Sequence, residues 1–152
     1  MSISGGCLCG AVKIAISGDP LDVVQCWCRQ CQRRASGGPT QNAIFKSCDV
    51  SITGPLARNG YIAASGNEPT NCFCVSCGTQ ICGLSSAAPH LTAIRLGTLN
   101  QPHGLSPRTA IWTCEAPAWA EIDPTLVQFA EQPPAPPPTD PWVASSLQSP
   151  NS

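Results

Sequence analysis

Along most of the chain, apolar residues recur at every second position in short runs, and Gly, Pro and Asn separate one run from the next. Val12, Ile14 and Ile16 alternate around Lys13 and Ala15 just after Gly10, and Val50 and Ile52 flank Ser51 before a Thr53-Gly54-Pro55 break. A period of two puts one set of side chains on one face of an extended segment, so both runs predict strands. The same signature predicts strands over Leu21 to Gln25, Asn42 to Phe45, Tyr61 to Ala64, and Leu91 to Leu96, the last closing at Gly97. Helical pattern is confined to two short stretches. One lies around Gln30 to Ala35, and the other runs from Pro124 to Phe129, where Asp123 can cap the first turn and Pro124 suits its first position. The class predicted is mainly β.

At 152 residues the chain has room for one domain with its own core, and two would be a squeeze. From Gln132 through Pro133-Pro134-Ala135-Pro136-Pro137-Pro138 to Ser152 the sequence is rich in proline and serine and has almost nothing to bury. It reads as a disordered tail, residues 132–152, behind a domain of residues 1–131. Charged residues make up only 11% of the chain and the formal net charge is -1, too little for a general attraction to nucleic acid or an anionic bilayer. The start, Met1-Ser2-Ile3-Ser4-Gly5-Gly6-Cys7, lacks the basic and apolar regions of a secretory signal. No apolar run approaches the roughly 18 residues of a membrane span. The expected compartment is the cytoplasm.

Eleven cysteines in a reducing compartment favour metal ligation over a disulfide framework. Cys7 and Cys9 lie in Gly6-Cys7-Leu8-Cys9-Gly10, with glycines that let the backbone fold tightly around an ion. Cys74-Val75-Ser76-Cys77-Gly78 has the C-x-x-C-G form of a zinc knuckle. Two pairs make the four thiolates of a closed structural zinc site, which would compensate for a core poor in aromatics. Between them, Cys26-Trp27-Cys28-Arg29-Gln30-Cys31 offers three sulfurs to one ion and no fourth ligand nearby. Three protein ligands and an open position characterise catalytic zinc. Three thiolates on a dication leave a net charge of about -1, a weak Lewis acid suited to exchanging or activating a thiol. Other readings stay open: a second closed site completed by Cys48, Cys72, Cys82 or Cys114, iron-sulfur ligation, or buried thiols without metal.

The segments Gly5-Gly6-Cys7-Leu8-Cys9-Gly10-Ala11-Val12, Cys26-x-Cys28-x-x-Cys31 followed by Arg33-Arg34-Ala35-Ser36-Gly37, Phe73-Cys74-x-x-Cys77-Gly78-Thr79, Gly97-Thr98-Leu99 and Ile111-Trp112 occur in this order between about Ser4 and Pro134. In these the chain resembles the glutathione-dependent formaldehyde-activating enzyme family, which includes centromere protein V. The resemblance implies a β-tent fold of packed antiparallel sheets with one structural and one catalytic zinc. It carries Cys7, Cys9, Cys74 and Cys77 over as structural ligands and Cys26, Cys28 and Cys31 as catalytic ones. The implied activity joins formaldehyde to glutathione, a carbon-sulfur lyase in the reverse direction. The chain also departs from the family's pattern: Trp27 stands where histidine is frequent, the stretch from Cys31 to Gly37 is one residue longer, Cys114 replaces a serine, and Cys72 directly precedes Phe73-Cys74. A zinc-stabilised interaction module and an enzyme acting on an imine or other small electrophile without glutathione are the alternatives.

Arg29, Arg33 and Arg34 flank the three-cysteine run. Arg29 and Arg33 are the candidates to pair with a carboxylate of a substrate such as glutathione, while Arg34 sits on a face that the periodicity leaves undefined. Three solvated arginines around a short helix is the plainer reading. Trp112 and Trp119, with Ile111, Pro117 and Leu126, read as core or lid packing, and His90 and His103 as surface loop residues. There is no serine-histidine-acid set and no phosphate loop.

Overall fold

The computed structural model describes residues 2–63 and 66–133. In chain order it forms β1 (Ile3–Gly6), β2 (Lys13–Ile16), β3 (Asp22–Cys26), the helix α1 (Arg29–Arg34), β4 (Thr40–Lys46) and β5 (Val50–Thr53). There follow β6 (Leu56–Gly60), β7 (Pro69–Cys74), β8 (Gln80–Ser85), β9 (Leu91–Arg95), β10 (Thr109–Ile111) and β11 (Val127–Gln128). The class is mainly β, as expected. A three-stranded sheet has the order β1-β2-β5, and an eight-stranded sheet the order β11-β10-β3-β4-β9-β8-β7-β6. Pairing is antiparallel except at one edge, where β10 runs parallel to both β3 and β11.

The two sheets share one core. Ile3, Ile14 and Ile16 of the small sheet meet Val23, Ala43, Phe45 and Ile94 of the large one. Across the large sheet, Val23, Ala43, Ile94, Cys82 and Cys72 stand opposite one another from β3 to β7, and all are buried. The period of two accounts for this row, because register fixes which face every second side chain joins. Each buried Val or Ile in it is worth about 1.5–3 kcal/mol relative to exposure. One residue along, the other face carries a polar set: Cys26 stands opposite Thr40, and Asn42 opposite Arg95.

The strands expected from alternation are β2, β3, β4, β5 and β9, with the last giving way to a 3₁₀ turn over Leu96–Thr98. The helix near Gln30 to Ala35 is α1. Two expectations need correction. Tyr61 to Ala63 form no strand; they enter a turn in which the Ala63 and Gly66 amides bond to Asn67 and Ala63 carbonyls, and Ala64 lies outside the described residues. Pro124 to Phe129 form no helix. Asp123 does organise the turn, accepting from the Thr125 amide at 2.8 Å, but the Val127 and Phe129 amides then donate to Arg108 and Ala110 carbonyls on the exposed edge of β10. Once an edge strand lies within reach, its carbonyls compete with the helix for these donors. The proline- and serine-rich segment expected as a tail lies, from Pro134 on, outside the described residues. No described helix is long and apolar enough to cross a membrane.

Candidate metal centres

Four cysteines converge between the β1–β2 loop and the β7–β8 turn. The first loop is pinned by Cys7 N–H to the Val12 carbonyl at 3.2 Å and by Gly10 N–H to the Cys7 carbonyl at 3.1 Å. The second is closed by Gly78 N–H to the Cys74 carbonyl at 2.9 Å, with Gly78 at φ +73°, a conformation costly to a residue with a Cβ. Cys7 and Cys9 sulfurs lie 3.5 Å apart, Cys9 and Cys74 sulfurs 3.8 Å, and all four fall within 4.8 Å of one another. Sulfurs bound tetrahedrally at the usual zinc–sulfur length would be about 3.8 Å apart, so the set fits zinc. Hydrogen bonds favour the thiolate form at two of the four, Cys7 and Cys77. Val12 N–H donates to Cys7 Sγ at 3.2 Å and lowers that thiol, and Thr79, whose hydroxyl lies 3.1 Å from Cys77 Sγ, holds Cys77 down to about 5.

The second cluster sits where β3 passes into α1. Cys26 ends the strand, Cys28 caps the helix and accepts the Cys31 N–H at 3.4 Å, and Cys31 is buried within it. The three sulfurs lie within 4.8 Å of one another, and among the described residues no further Cys, His, Asp or Glu joins them. Cys72 and Cys82 face each other in the core row, whereas Cys48 and Cys114 are exposed on 3₁₀ turns. The shared proton interactions with Cys26 and Cys28, then the Thr40 hydroxyl and the charge of Arg95, hold Cys31 far below the ordinary thiol range; Cys28, Cys31 and burial push Cys26 up. Thr40 Oγ1 donates to Cys31 Sγ at 3.0 Å. Trp27 is buried, its indole N–H donating to Gln25 Oε1 at 2.9 Å.

Arg29 is exposed, its guanidinium donating to Gln32 Oε1 and its backbone N–H to Glu115 Oε2, and Arg33 is exposed in the last turn of α1. Arg34 is half-buried, and its charge acts on Tyr61 and Arg95. Burial and then the charge of Cys28 raise the Tyr61 phenol. Thr40, Asn42 and Arg95 were not singled out as site residues from the sequence; only Arg95 left a signal, as a cation at the end of an otherwise apolar strand pattern. Trp119, expected to pack, is 68% exposed, and Trp112 is half-buried. His103 caps its own loop by accepting the Leu105 amide at 3.1 Å. Two surface depressions, of about 370 and 340 Å³, are lined by residues such as Gly6, Cys7, Lys13 and Asn100 in the first and Ile3, Asn100, Pro102 and His103 in the second, and neither includes Cys26, Cys28 or Cys31.

The model of the family described as "Glutathione-dependent formaldehyde-activating enzyme" matches residues 2–115, three-quarters of the chain and both cysteine clusters. The chain belongs to that family. A protein of Rhodobacter sphaeroides of known structure is similar in fold, with a TM-score of 0.50 at 24% identity, covering 69% of this chain and 92% of that one. No curated protein matches. The family's match ends at Glu115, so the turn at Asp123 and strand β11 lie beyond it.

Proposed function

We propose that this member of the family is a zinc-dependent carbon-sulfur lyase that condenses a thiol, glutathione, with formaldehyde or a related small carbonyl compound. The observation that carries the reading is a trio of converging sulfurs at Cys26, Cys28 and Cys31 to which the described residues add no fourth ligand. On this reading Cys7, Cys9, Cys74 and Cys77 hold a structural zinc and the trio holds the catalytic one, two ions per chain. A zinc ion on three thiolates supplies a position for a fourth sulfur and lowers the pKa of a thiol there from its free value of about 8.5.

The chain's own residues do the rest. Cys26, Cys28 and Cys31 fix where the thiol sulfur sits, and Thr40 withdraws charge from Cys31 through its hydrogen bond. Arg29 or Arg33, on the exposed side of α1, pairs with a glutathione carboxylate. The sulfur–carbon bond forms as the carbonyl π bond opens, and the proton lost from sulfur ends on the new hydroxyl; nothing is oxidised or reduced. The reverse reaction is the lyase step. The cytoplasm keeps glutathione in the thiol form this needs. The catalytic unit is the domain of residues 1–131, with the proline-rich tail outside it.

Metal analysis joined to a rate measurement tests this. Wild type should carry two zinc ions and speed adduct formation between glutathione and formaldehyde, followed by exchange NMR. Cys28→Ser should stay folded with one zinc and no rate enhancement. Two zinc ions in Cys28→Ser, or a wild type that leaves the rate at its spontaneous value, would overturn the reading. The second reading, an electrophile other than a glutathione adduct, draws on Trp27 at a position where histidine is frequent; saturation of the wild type by an imine but not by glutathione would favour it.

A further inference from the structure

Arg95 ends β9 on the polar face of the large sheet, and its guanidinium reaches both ways across that face. One terminal nitrogen donates to Asn42 Oδ1 on β4, the other to Asn71 Oδ1 on β7 at 2.9 Å. To reach β7 it crosses Gly83 of β8, where a Cβ would already touch its Nη2 at 3.5 Å. Its Nε is buried and without a hydrogen-bond partner. The groups whose charges act most on Arg95 are Cys31, Arg34, Cys82 and Cys26, and none is a carboxylate. A buried cation ordinarily pairs with an anion. Here the hydrogen-bond acceptors are two neutral amide oxygens, Asn42 Oδ1 and Asn71 Oδ1, and no carboxylate is among its described partners.

The hydrogen bonds give this pairing a direction. Arginine has donors only, so it can meet Asn42 only through the amide oxygen, and that turns Asn42 Nδ2 toward Thr40, whose Oγ1 accepts at 3.0 Å. With its oxygen taken by a donor, the Thr40 hydroxyl must direct its proton elsewhere, and Cys31 Sγ lies at 3.0 Å. Without Arg95, Asn42 is free to flip and offer its oxygen to Thr40, which would turn the hydroxyl proton away from the sulfur. These hydrogen bonds thus place a relay of Arg95, Asn42 and Thr40 behind one ligand of the centre.

We propose that Arg95 is a positioning residue of the three-cysteine centre, acting through Asn42 to hold the Thr40 hydroxyl as a donor to Cys31 and supplying the counter-charge to its thiolates. The proposal rests on the reading of Cys26, Cys28 and Cys31 as a metal centre. Three thiolates exceed the charge of a divalent ion by about one unit, and a fixed cation behind Cys31 offsets that excess while softening the sulfur's donation to the metal.

Cobalt(II) titration of the metal-free full-length protein against a competing chelator tests it, reading affinity and the sulfur-to-cobalt charge-transfer band of the second equivalent by difference from Cys28→Ser. Asn42→Asp keeps the acceptor for Arg95 and removes the donor to Thr40; Thr40→Val removes the final bond; Thr40→Ser keeps it. Asn42→Asp, Thr40→Val and Arg95→Met should each weaken the second equivalent about tenfold and shift its band the same way, with Thr40→Ser like wild type. The double variant Arg95→Met/Thr40→Val should be no weaker than the worse single one, because residues acting in one chain are not additive. A wild-type band and affinity in Asn42→Asp and Thr40→Val, or strictly additive losses in the double variant, would overturn the proposal while leaving the centre itself standing. Two unchanged cobalt equivalents in Cys28→Ser would instead remove the metal reading, and this proposal with it.

Discussion

Thr79 ties the two halves of the four-cysteine cluster together. Its hydroxyl oxygen accepts the Leu8 N–H at 3.1 Å, from the β1–β2 loop, and its proton goes to Cys77 Sγ on the β7–β8 turn. Both bonds favour the geometry in which the four sulfurs meet, and the second stabilises a thiolate. Thr79→Val should therefore release zinc to a chelator markedly faster than wild type, while Thr79→Ser, which keeps the hydroxyl, should not; stopped-flow with a colorimetric chelator reads the difference. At the other cluster the same logic falls to Thr40, one threonine against one cysteine. Thr79 follows the glycine of the knuckle closely enough to be guessed, whereas Thr40 belongs to the next strand and meets Cys31 only because β4 lies opposite β3.

At the scale of elements, β4 does the most. Ala43 and Phe45 face the core while Thr40 and Asn42 face the cluster, so one strand builds both the packing and the relay. Phe45 is fully buried, and Phe45→Ala should cost about 3–5 kcal/mol in urea unfolding, the range for truncating a buried aromatic. Alternation announced this strand because its core positions are apolar. β1, β6, β7, β8 and β10 gave weaker signals: β1 reads Ile-Ser-Gly-Gly, β6 ends in Arg-Asn-Gly, and β7 carries Asn and Cys where branched residues would be expected. Their place is secured by neighbours in the sheet. β11 is the clearest case, a strand of two residues held by β10 and set up by the Asp123 turn, whose carboxylate accepts both the amide and the hydroxyl of Thr125. Asp123→Ala should lower hydrogen-exchange protection at the Val127 and Phe129 amides and leave the amides of β4 and β9 unchanged.

For the whole molecule, the four-cysteine cluster joins the first loop of the small sheet to a turn of the large one, and the shared core is modest. A metal ion there would contribute to folding free energy directly, since an unfolded chain does not present four converging thiolates. Removing metal with a strong chelator should abolish the cooperative thermal transition, and restoring one equivalent of zinc should recover it, as followed by circular dichroism. Cys28→Ser, with the four-cysteine cluster intact, should keep that transition. What the sequence by itself determined were features written in local spacing: the two cysteine pairs, the C-x-C-x-x-C trio, the short helix that follows it, and the strands whose inward residues alternate. Ligand spacing and side-chain period are properties of a few consecutive residues, so they survive without a fold. Tertiary structure alone decided that no described residue adds a fourth ligand to the trio, that β10 and β11 form a parallel edge, and that Arg95, Asn42 and Thr40 line up behind Cys31. Those depend on which strands become neighbours, and strand order is set by burial summed over the whole sheet rather than by any stretch of sequence within it.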